Sequence, residues 1–279
     1  MKQKTIAFMA AGMGSRFGGL KQVHEVVNNY ALLDFSIYDA LQAGFNHLVF
    51  IIREEILHVF EIRYKNSLPK YVQVDFVIQD TIGLPERKKP WGTGHALLSL
   101  KNTIHSNFAL INADDFYGRE AYKLMYNALY ENDKHENYFI GYQLKNTLSD
   151  FGTVSRGVCV LNKDQELLKI TEHTNIDKAN LQVSLETIVS MNFWGFTTDI
   201  FNIAEFLFKT FLEKHKDSEA AEFYIPTLVD FMLEKNKGTF NMLKTSTKWF
   251  GITYKEDEPM VKKHLQEFIS KGEYPVKLW

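Results

Sequence analysis

Residues 10–22, Ala-Ala-Gly-Met-Gly-Ser-Arg-Phe-Gly-Gly-Leu-Lys-Gln, place four glycines, an arginine and a lysine directly after a short apolar run. Glycines let the backbone approach a phosphate chain closely and turn several N–H groups toward it. Arg16 adds a planar fork for two oxygens, and Lys21 adds a mobile point charge, a pairing suited to a triphosphate. The spacing matches neither the dinucleotide fingerprint G-x-G-x-x-G nor the Gly-Lys-Ser/Thr of a P-loop, and a purely structural glycine loop is the competing reading. A second group lies at residues 109–118, where Ala-Leu-Ile-Asn-Ala runs into Asp114 and Asp115. A carboxylate at a strand end beside a triphosphate meets the needs of Mg²⁺, which takes one or two carboxylates plus phosphate oxygens and water. The bland alternative makes Asp114-Asp115 a solvated turn or the N-cap of a helix starting near Arg119. A third group pairs Gln79 with the small-residue turn Gly92-Thr93-Gly94. An amide side chain offers adjacent donor and acceptor atoms for a base edge, and the turn lets a base lie close to the backbone.

The elements that position these groups are legible from periodicity. Residues 5–10, 47–52, 72–78 and 108–112 are apolar strand runs, separated by helical patterns at 34–43, 54–64 and 95–100. That alternation is the rhythm of a mostly parallel sheet with helices on both faces, and it persists to about residue 142. The glycine loop then leaves the carboxyl end of the first strand, where open α/β sheets bind ligands. Beyond residue 151 the pattern predicts a hairpin, 152–161 and 166–170, turning at Asn162-Lys163-Asp164. A late strand at 188–196, helices at 200–215 and 221–234, and a final helix at 258–270 complete the reading. The last is entered at Asp257 as N-cap and left at Gly272.

The glycine loop resembles the signature of nucleotidyltransferases with a glycosyltransferase-A-like Rossmann fold, close to A-A/G-G-x-G-S/T-R followed by Lys. The resemblance implies an α/β fold with a mixed, mostly parallel central sheet. It implies that Ala10, Ala11, Gly12, Gly14 and Ser15 wrap the NTP phosphates while Arg16 and Lys21 stabilise the transferring α-phosphate. In the same family an Asp at the position of Asp114 binds Mg²⁺ with its neighbour, here Asp115, assisting. A second metal ligand comes from a late strand, where Asn192 is the candidate and Asp199 the fallback. Gln79, Gly92 and Thr93 stand where relatives contact the base, an arrangement similar to uridine- and thymidine-reading enzymes. On the acceptor side, Phe151-Gly152-Thr153 resembles a Tyr-Gly-Val segment lining the sugar pocket. Glu172 stands where relatives bind sugar hydroxyls, with His173 in place of their phosphate-binding Lys. Asn192 is equally placed to bond the sugar, and residues 222–226 resemble a helix start beside it. The gap between Arg16 and Lys21 is shorter than in long sugar-nucleotide enzymes and is similar to cytidylyltransferases and molybdopterin guanylyltransferases. Residues 249–257 resemble the tail of a group of uncharacterised bacterial nucleotidyltransferases.

These readings predict a nucleotidyltransferase domain over residues 1–240 and a C-terminal extension, 241–279, whose terminal helix packs on the core. The expected reaction is attack of an acceptor phosphate oxygen on the α-phosphorus of UTP or dTTP, with pyrophosphate leaving. A sugar 1-phosphate is the favoured acceptor; the alternatives are a cytidylyltransferase acting on a phosphate such as phosphocholine, or a non-catalytic nucleotide sensor. A glycosyltransferase of related fold would carry Asp-x-Asp and lack the glycine loop. A formal charge of −2 gives no general attraction to nucleic acid or to an anionic membrane. No apolar run reaches the roughly 20 residues that span a bilayer. The single cysteine, Cys159, has no internal partner, and the N-terminus lacks a signal-peptide pattern, so a cytoplasmic setting is expected. The nine histidines show no zinc spacing. Oligomeric state is left open.

Overall fold

The computed structural model describes residues 2–12, 19–79, 84–85, 89–131, 136–149, 151–178, 180–252 and 254–279. Gly14, Ser15 and Arg16 lie outside the described residues, as do Asp80 and most of the charged loop 81–89, including Arg87 and Lys88.

In chain order the elements are β1 (Thr5–Met9), β2 (Glu25–Val27), β3 (Tyr30–Ala31), α1 (Leu32–Ala43), β4 (His47–Ile52), α2 (Leu57–Tyr64) and β5 (Gln73–Ile78). Next come α3 (Thr93–Ser99), β6 (Phe108–Asn112), β7 (Asp115–Phe116), α4 (Arg119–Tyr130) and β8 (Asn137–Gln143). The chain continues through β9 (Val154–Leu161), β10 (Leu167–Ile176), β11 (Ile188–Phe196), α5 (Ile200–His215) and α6 (Ile225–Glu234). It closes with β12 (Phe240–Lys244), β13 (Phe250–Gly251) and α7 (Glu258–Ser270).

Strands β6, β1, β4 and β5 are parallel neighbours, and all six residues of β4 are buried, as expected for a strand covered by helices on both faces. One face packs against α1, α2 and α4 through side chains such as Ile37, Phe60 and Met125. The other packs against α3, α5 and α6 through Leu97, Phe201 and Leu228. Antiparallel structure enters at β11, which pairs β8 along one edge. Its other edge is shared, with β9 bonding Val189 and Ser190 and β6 bonding Trp194 to Phe196. The β9–β10 hairpin turns where the sequence indicates, and β10 runs six residues further than expected because it stays paired with β9 as far as Val154. Helix α6 begins at Ile225, after an extended segment that bonds the turn preceding α3.

The C-terminal segment is woven into the body of the molecule. Strand β12 joins the main sheet parallel to β8, so the 240/241 division falls at its first residue. Strand β13 forms a two-stranded ribbon with β7. A third apolar cluster then gathers β2, α1, β7, β13 and α7 around Phe35, Phe116, Phe250 and Leu265. Asp257 adjoins α7, but its carboxylate accepts the Tyr254 N–H at 2.7 Å, capping the preceding turn and not the helix itself. Among the described residues no helix is long and apolar enough to cross a membrane.

Candidate active site

The parallel register of β1 with β6, Thr5 opposite Phe108 and Met9 opposite Asn112, makes the loops after the two strands emerge side by side. The Ala113 N–H donates to the Met9 carbonyl at 3.1 Å and holds the two exits together. Ala10 and Ala11 are buried at the strand end, where the Ala10 N–H donates to Ile51 at 2.8 Å. Lys21 heads a single 3₁₀ turn, Lys21–Val23, and its Nζ meets Asp114 Oδ2 at 2.6 Å. The lysine is mostly buried, at 11% exposure, whereas 35% of the Asp114 side chain is open to solvent. Gln22 is buried and donates through Nε2 to the Gly12 carbonyl at 2.8 Å, tying the far end of the glycine loop to its start. The described ends of the glycine loop, Gly12 and Lys21-Gln22, therefore lie together with the Ala-Asp-Asp strand end. Neither aspartate caps α4, whose N-cap is Gly118 at φ 80°.

The Gln79 side chain is buried at the end of β5, where its Nε2 donates to the Gly92 carbonyl at 3.2 Å and lies 3.3 Å from His95 Nδ1. A carbonyl oxygen can only accept, so the amide must present its NH₂ group to Gly92 and its oxygen to the other side. Gly92 has φ 98°, and an added Cβ would lie 2.6 Å from the Phe223 carbonyl oxygen. Only glycine lets these two backbones meet, through Phe223 N–H to Trp91 O and Gly94 N–H to Phe223 O, each at 2.8 Å. The Thr93 hydroxyl oxygen accepts the N–H of Ile225 at 3.1 Å, at the start of α6.

Asp115 has a different fate from Asp114. It is buried, and its Oδ2 accepts from Asn112 Nδ2 at 2.7 Å and Tyr117 Oη at 3.2 Å. Burial, then the neighbouring Asp114 charge, pushes its carboxyl up to about 7, opposed by Asn112, Lys21 and Arg156. Its other oxygen packs on Gly251, where an added Cβ would come within 2.6 Å of Oδ1. Sequence reasoning missed Arg156, a buried arginine of β9 whose Nε donates to Thr147 Oγ1 at 3.1 Å and Nη1 to Ser155 O at 2.8 Å. Its guanidinium also bonds the Thr147 carbonyl and lies 5.0 Å from the Trp249 ring. Burial pushes Arg156 down to about 10, against the pull of Asp115 and Glu172. Burial likewise raises Glu172 to about 7, opposed by Arg156.

Asn192 occupies the interruption where β11 passes from β9 to β6. It has φ 59°, an uncommon conformation for a residue within a strand, and its Oδ1 accepts from Trp194 Nε1 at 3.3 Å. The adjoining Met191 carbonyl accepts from Tyr117 Oη at 2.8 Å, which links this irregularity to Asp115. Gly152 packs beneath Tyr254, whose hydroxyl donates to Thr153 O at 2.9 Å. The C-terminal segment thus reaches three expected or emerging site residues: Gly152 through Tyr254, Asp115 through Gly251 and Arg156 through Trp249. Cys159 is buried in β9, where burial pushes its thiol up, as suits a small core side chain.

The family model described as "Nucleotidyl transferase" matches residues 7–252. No curated protein sequence matches the chain. Among solved structures, the inositol-1-phosphate CTP transferase from T. maritima superposes with a TM-score of 0.68 at 12% identity, covering 96% of this chain and 97% of that one. UDP-glucose pyrophosphorylase complexed with UDP-glucose gives 0.66 at 16% identity, covering 95% and 99%. HddC from Yersinia pseudotuberculosis gives 0.60 at 17% identity, covering 94% and 100%.

Proposed function

The chain belongs to the nucleotidyl transferase family and is a nucleotidyltransferase enzyme of the glycosyltransferase-A-like fold, and from that premise we propose that it transfers a nucleoside monophosphate from UTP or dTTP to a sugar 1-phosphate, releasing pyrophosphate. The observation that carries this reading is the 2.6 Å contact between Lys21 and Asp114 at the adjoining exits of β1 and β6. It joins the phosphate-binding loop to the acidic strand end without any ligand. Lys21, together with Arg16 from the same loop, would neutralise charge developing on the α-phosphate while an acceptor phosphate oxygen attacks in line. Little covalent chemistry is asked of the side chains, so positioning and preorganised charge supply the rate.

The donor set suits Mg²⁺. Among the described residues no three His, Cys, Asp or Glu side chains gather as a closed metal cage. Asp114 offers a partly exposed hard oxygen, and an ion that keeps water and phosphate ligands needs little more from the protein. Asn192 is the candidate for a further oxygen. Bound there, Mg²⁺ would supply charge neutralisation at the phosphates. Lys21 and Asp114 now neutralise each other, so triphosphate and cation would each draw away one partner of the pair.

Base choice rests on the orientation of Gln79. With its NH₂ directed to Gly92, the amide oxygen is the group left to read a base, and no described residue donates to it. That oxygen accepts from the imide N3–H of uracil or thymine; cytosine, which presents an acceptor at N3, does not match it. Guanine also carries a ring N–H, so the pyrimidine preference leans on the resemblance of Gln79 and the Gly-Thr-Gly turn to uridine and thymidine readers. On the acceptor side, Gly152, Glu172 and Asn192 remain the proposed contacts, completed by residues 241–279 through Tyr254 and Gly251. A pyrophosphate-release screen crossing five NTPs with sugar 1-phosphates, inositol 1-phosphate and phosphocholine tests the proposal. Turnover only with CTP, or only with alcohol phosphates, would replace it by the cytidylyltransferase reading, which the inositol-phosphate neighbour keeps in play. The expected setting is cytoplasmic.

A further inference from the structure

A cavity of about 370 Å³ lies between residues 145–149 of the core and residues 248–264 of the C-terminal segment. Its volume is that of a small-molecule site. Its walls include Lys145, Arg156, Lys248 and His264 against a single carboxylate, Asp257. Lys145 shares its charge with Glu186 at 2.7 Å. Arg156 is 8% exposed and bonds only neutral oxygens, those of Thr147 and Ser155, so among the described residues its charge has no ion-pair partner. Lys248 has none either. Asp257 already accepts from Ser149 Oγ at 3.3 Å and from the Tyr254 N–H at 2.7 Å.

Two walls also hold buried nitrogens without a described partner. Trp249, 8% exposed, has an indole N–H that no described residue accepts, and His264 Nδ1, donor or acceptor according to tautomer, also lacks a described partner. An indole N–H only donates, and a buried donor left without an acceptor is destabilising until a ligand oxygen reaches it. Arg156 bonded only to neutral oxygens, with Asp115 and Glu172 acting on it from beyond contact, together with the unpaired Lys248 and an indole N–H without an acceptor, specifies one complement, a compact anion rich in oxygen atoms.

We propose that this cavity binds the phosphate group of a small molecule, held by Arg156, Lys248 and the Trp249 and His264 ring nitrogens. Two sources share that chemistry, a second anionic group carried by the acceptor itself or a separate effector. Either source is read out at the acidic loop, because Trp249 packs on Arg156 and Gly251 packs on Asp115. The first source rests on the transferase reading given above; the binding site itself does not.

Inorganic phosphate is the probe, titrated calorimetrically into the whole protein in a Lys21→Ala background that disables the nucleotide-side cation. One saturable site per chain is expected, weakened about tenfold or more by either Lys248→Glu or Trp249→Phe, the scale of one charge-assisted hydrogen bond. Trp249→Phe keeps the ring and removes only the N–H, and Lys248 is exposed, so neither change should unfold the chain. Absence of a saturable site in the Lys21→Ala protein, or a site indifferent to both changes, overturns the proposal. Steady-state rates then separate the sources. Phosphate competing with the acceptor, with a raised acceptor KM in Lys248→Glu, identifies the acceptor's own group. A phosphate effect that persists at saturating acceptor and disappears in Lys248→Glu identifies an effector. A protein that binds phosphate in this way but transfers no nucleotide would sink the transferase reading and leave the site standing.

Discussion

Asp114 and Asp115 are sequence neighbours with opposite surroundings. Asp114 faces the glycine loop, partly open, with Lys21 as its partner. Asp115 faces inward, where Asn112, Tyr117 and the Gly251 backbone enclose it and Arg156 adds a distant positive charge. Asp114 thus belongs to a pair of charges that ligands can separate, and Asp115 to a set fixed by burial and by the C-terminal ribbon. A side chain that must change partners during a reaction sits near solvent, while one that sets geometry is better held dry.

The comparison breaks most readily at Lys21. Lys21→Ala is expected to lower turnover about 10²- to 10³-fold, the loss seen when one preorganised charge-stabilising donor is removed. Pyrophosphate release near the wild-type rate would end its catalytic assignment. Next in size is Gly251→Ala, whose methyl would sit 2.6 Å from Asp115 Oδ1 and 3.1 Å from the Trp249 ring. Overpacking of this kind costs about 1–3 kcal/mol, read as a lower thermal midpoint, and should depress turnover as Asp115 shifts. Gly19→Ala is the matched control near Lys21: its Cβ meets nothing within 4 Å, so stability should change by no more than about 0.5 kcal/mol. Equal midpoints for the two variants would remove the claim that the C-terminal ribbon holds Asp115.

Gln79→Ala should weaken binding of the preferred NTP and narrow its margin over the others, by about tenfold, with phosphate contacts retained. Competition binding with five NTPs checks it, and an unchanged selectivity ratio would transfer base reading to another residue. The smallest effect on turnover belongs to Asp39 beneath the C-terminal segment, which acts on stability and is held by Tyr274 Oη and Arg119 Nε. Burial pushes its carboxyl up to about 7, against the favourable contributions of Tyr274 and Arg119. The folded state therefore holds this proton more tightly than the unfolded chain, whose Asp titrates near pH ~3.9. Through this group alone, stability is lost as pH rises from about 4 toward 7 and is regained on acidification. Denaturant midpoints of Asp39→Asn should show a flatter pH profile across that window, and an unchanged slope would count against a buried, protonatable Asp39.

Elements with strong local patterns were legible in advance: residues 108–112, 188–196, 200–215 and 258–270 match β6, β11, α5 and α7. The meeting of Lys21 with Asp114 was likewise foreseeable, because both motifs sit at carboxyl ends of strands with a parallel rhythm. The ribbon of β7 with β13 was not, since two-residue strands carry no periodicity and their pairing depends on tertiary contact. Arg156 left a trace that went unread. Val154, Arg156 and Val158 alternate along β9, so the arginine occupies a place where the pattern calls for an apolar residue. Trp249 carries no such trace in the sequence, because only the folded arrangement reveals its cation beneath and its unclaimed N–H.

The ribbon also sets an order of assembly. Phe116 pairs with Phe250, and Asp115 with Gly251, so the acidic loop cannot reach its final shape on the ribosome until the segment carrying residues 250 and 251 has emerged. Synthesis proceeds from the N-terminus, and such distant pairings are late and slow to form. A nascent chain ending after β12 could complete most of the sheet yet lack the lid over Asp115. Inactivity until the final stretch is translated would keep a half-made enzyme from consuming nucleotide.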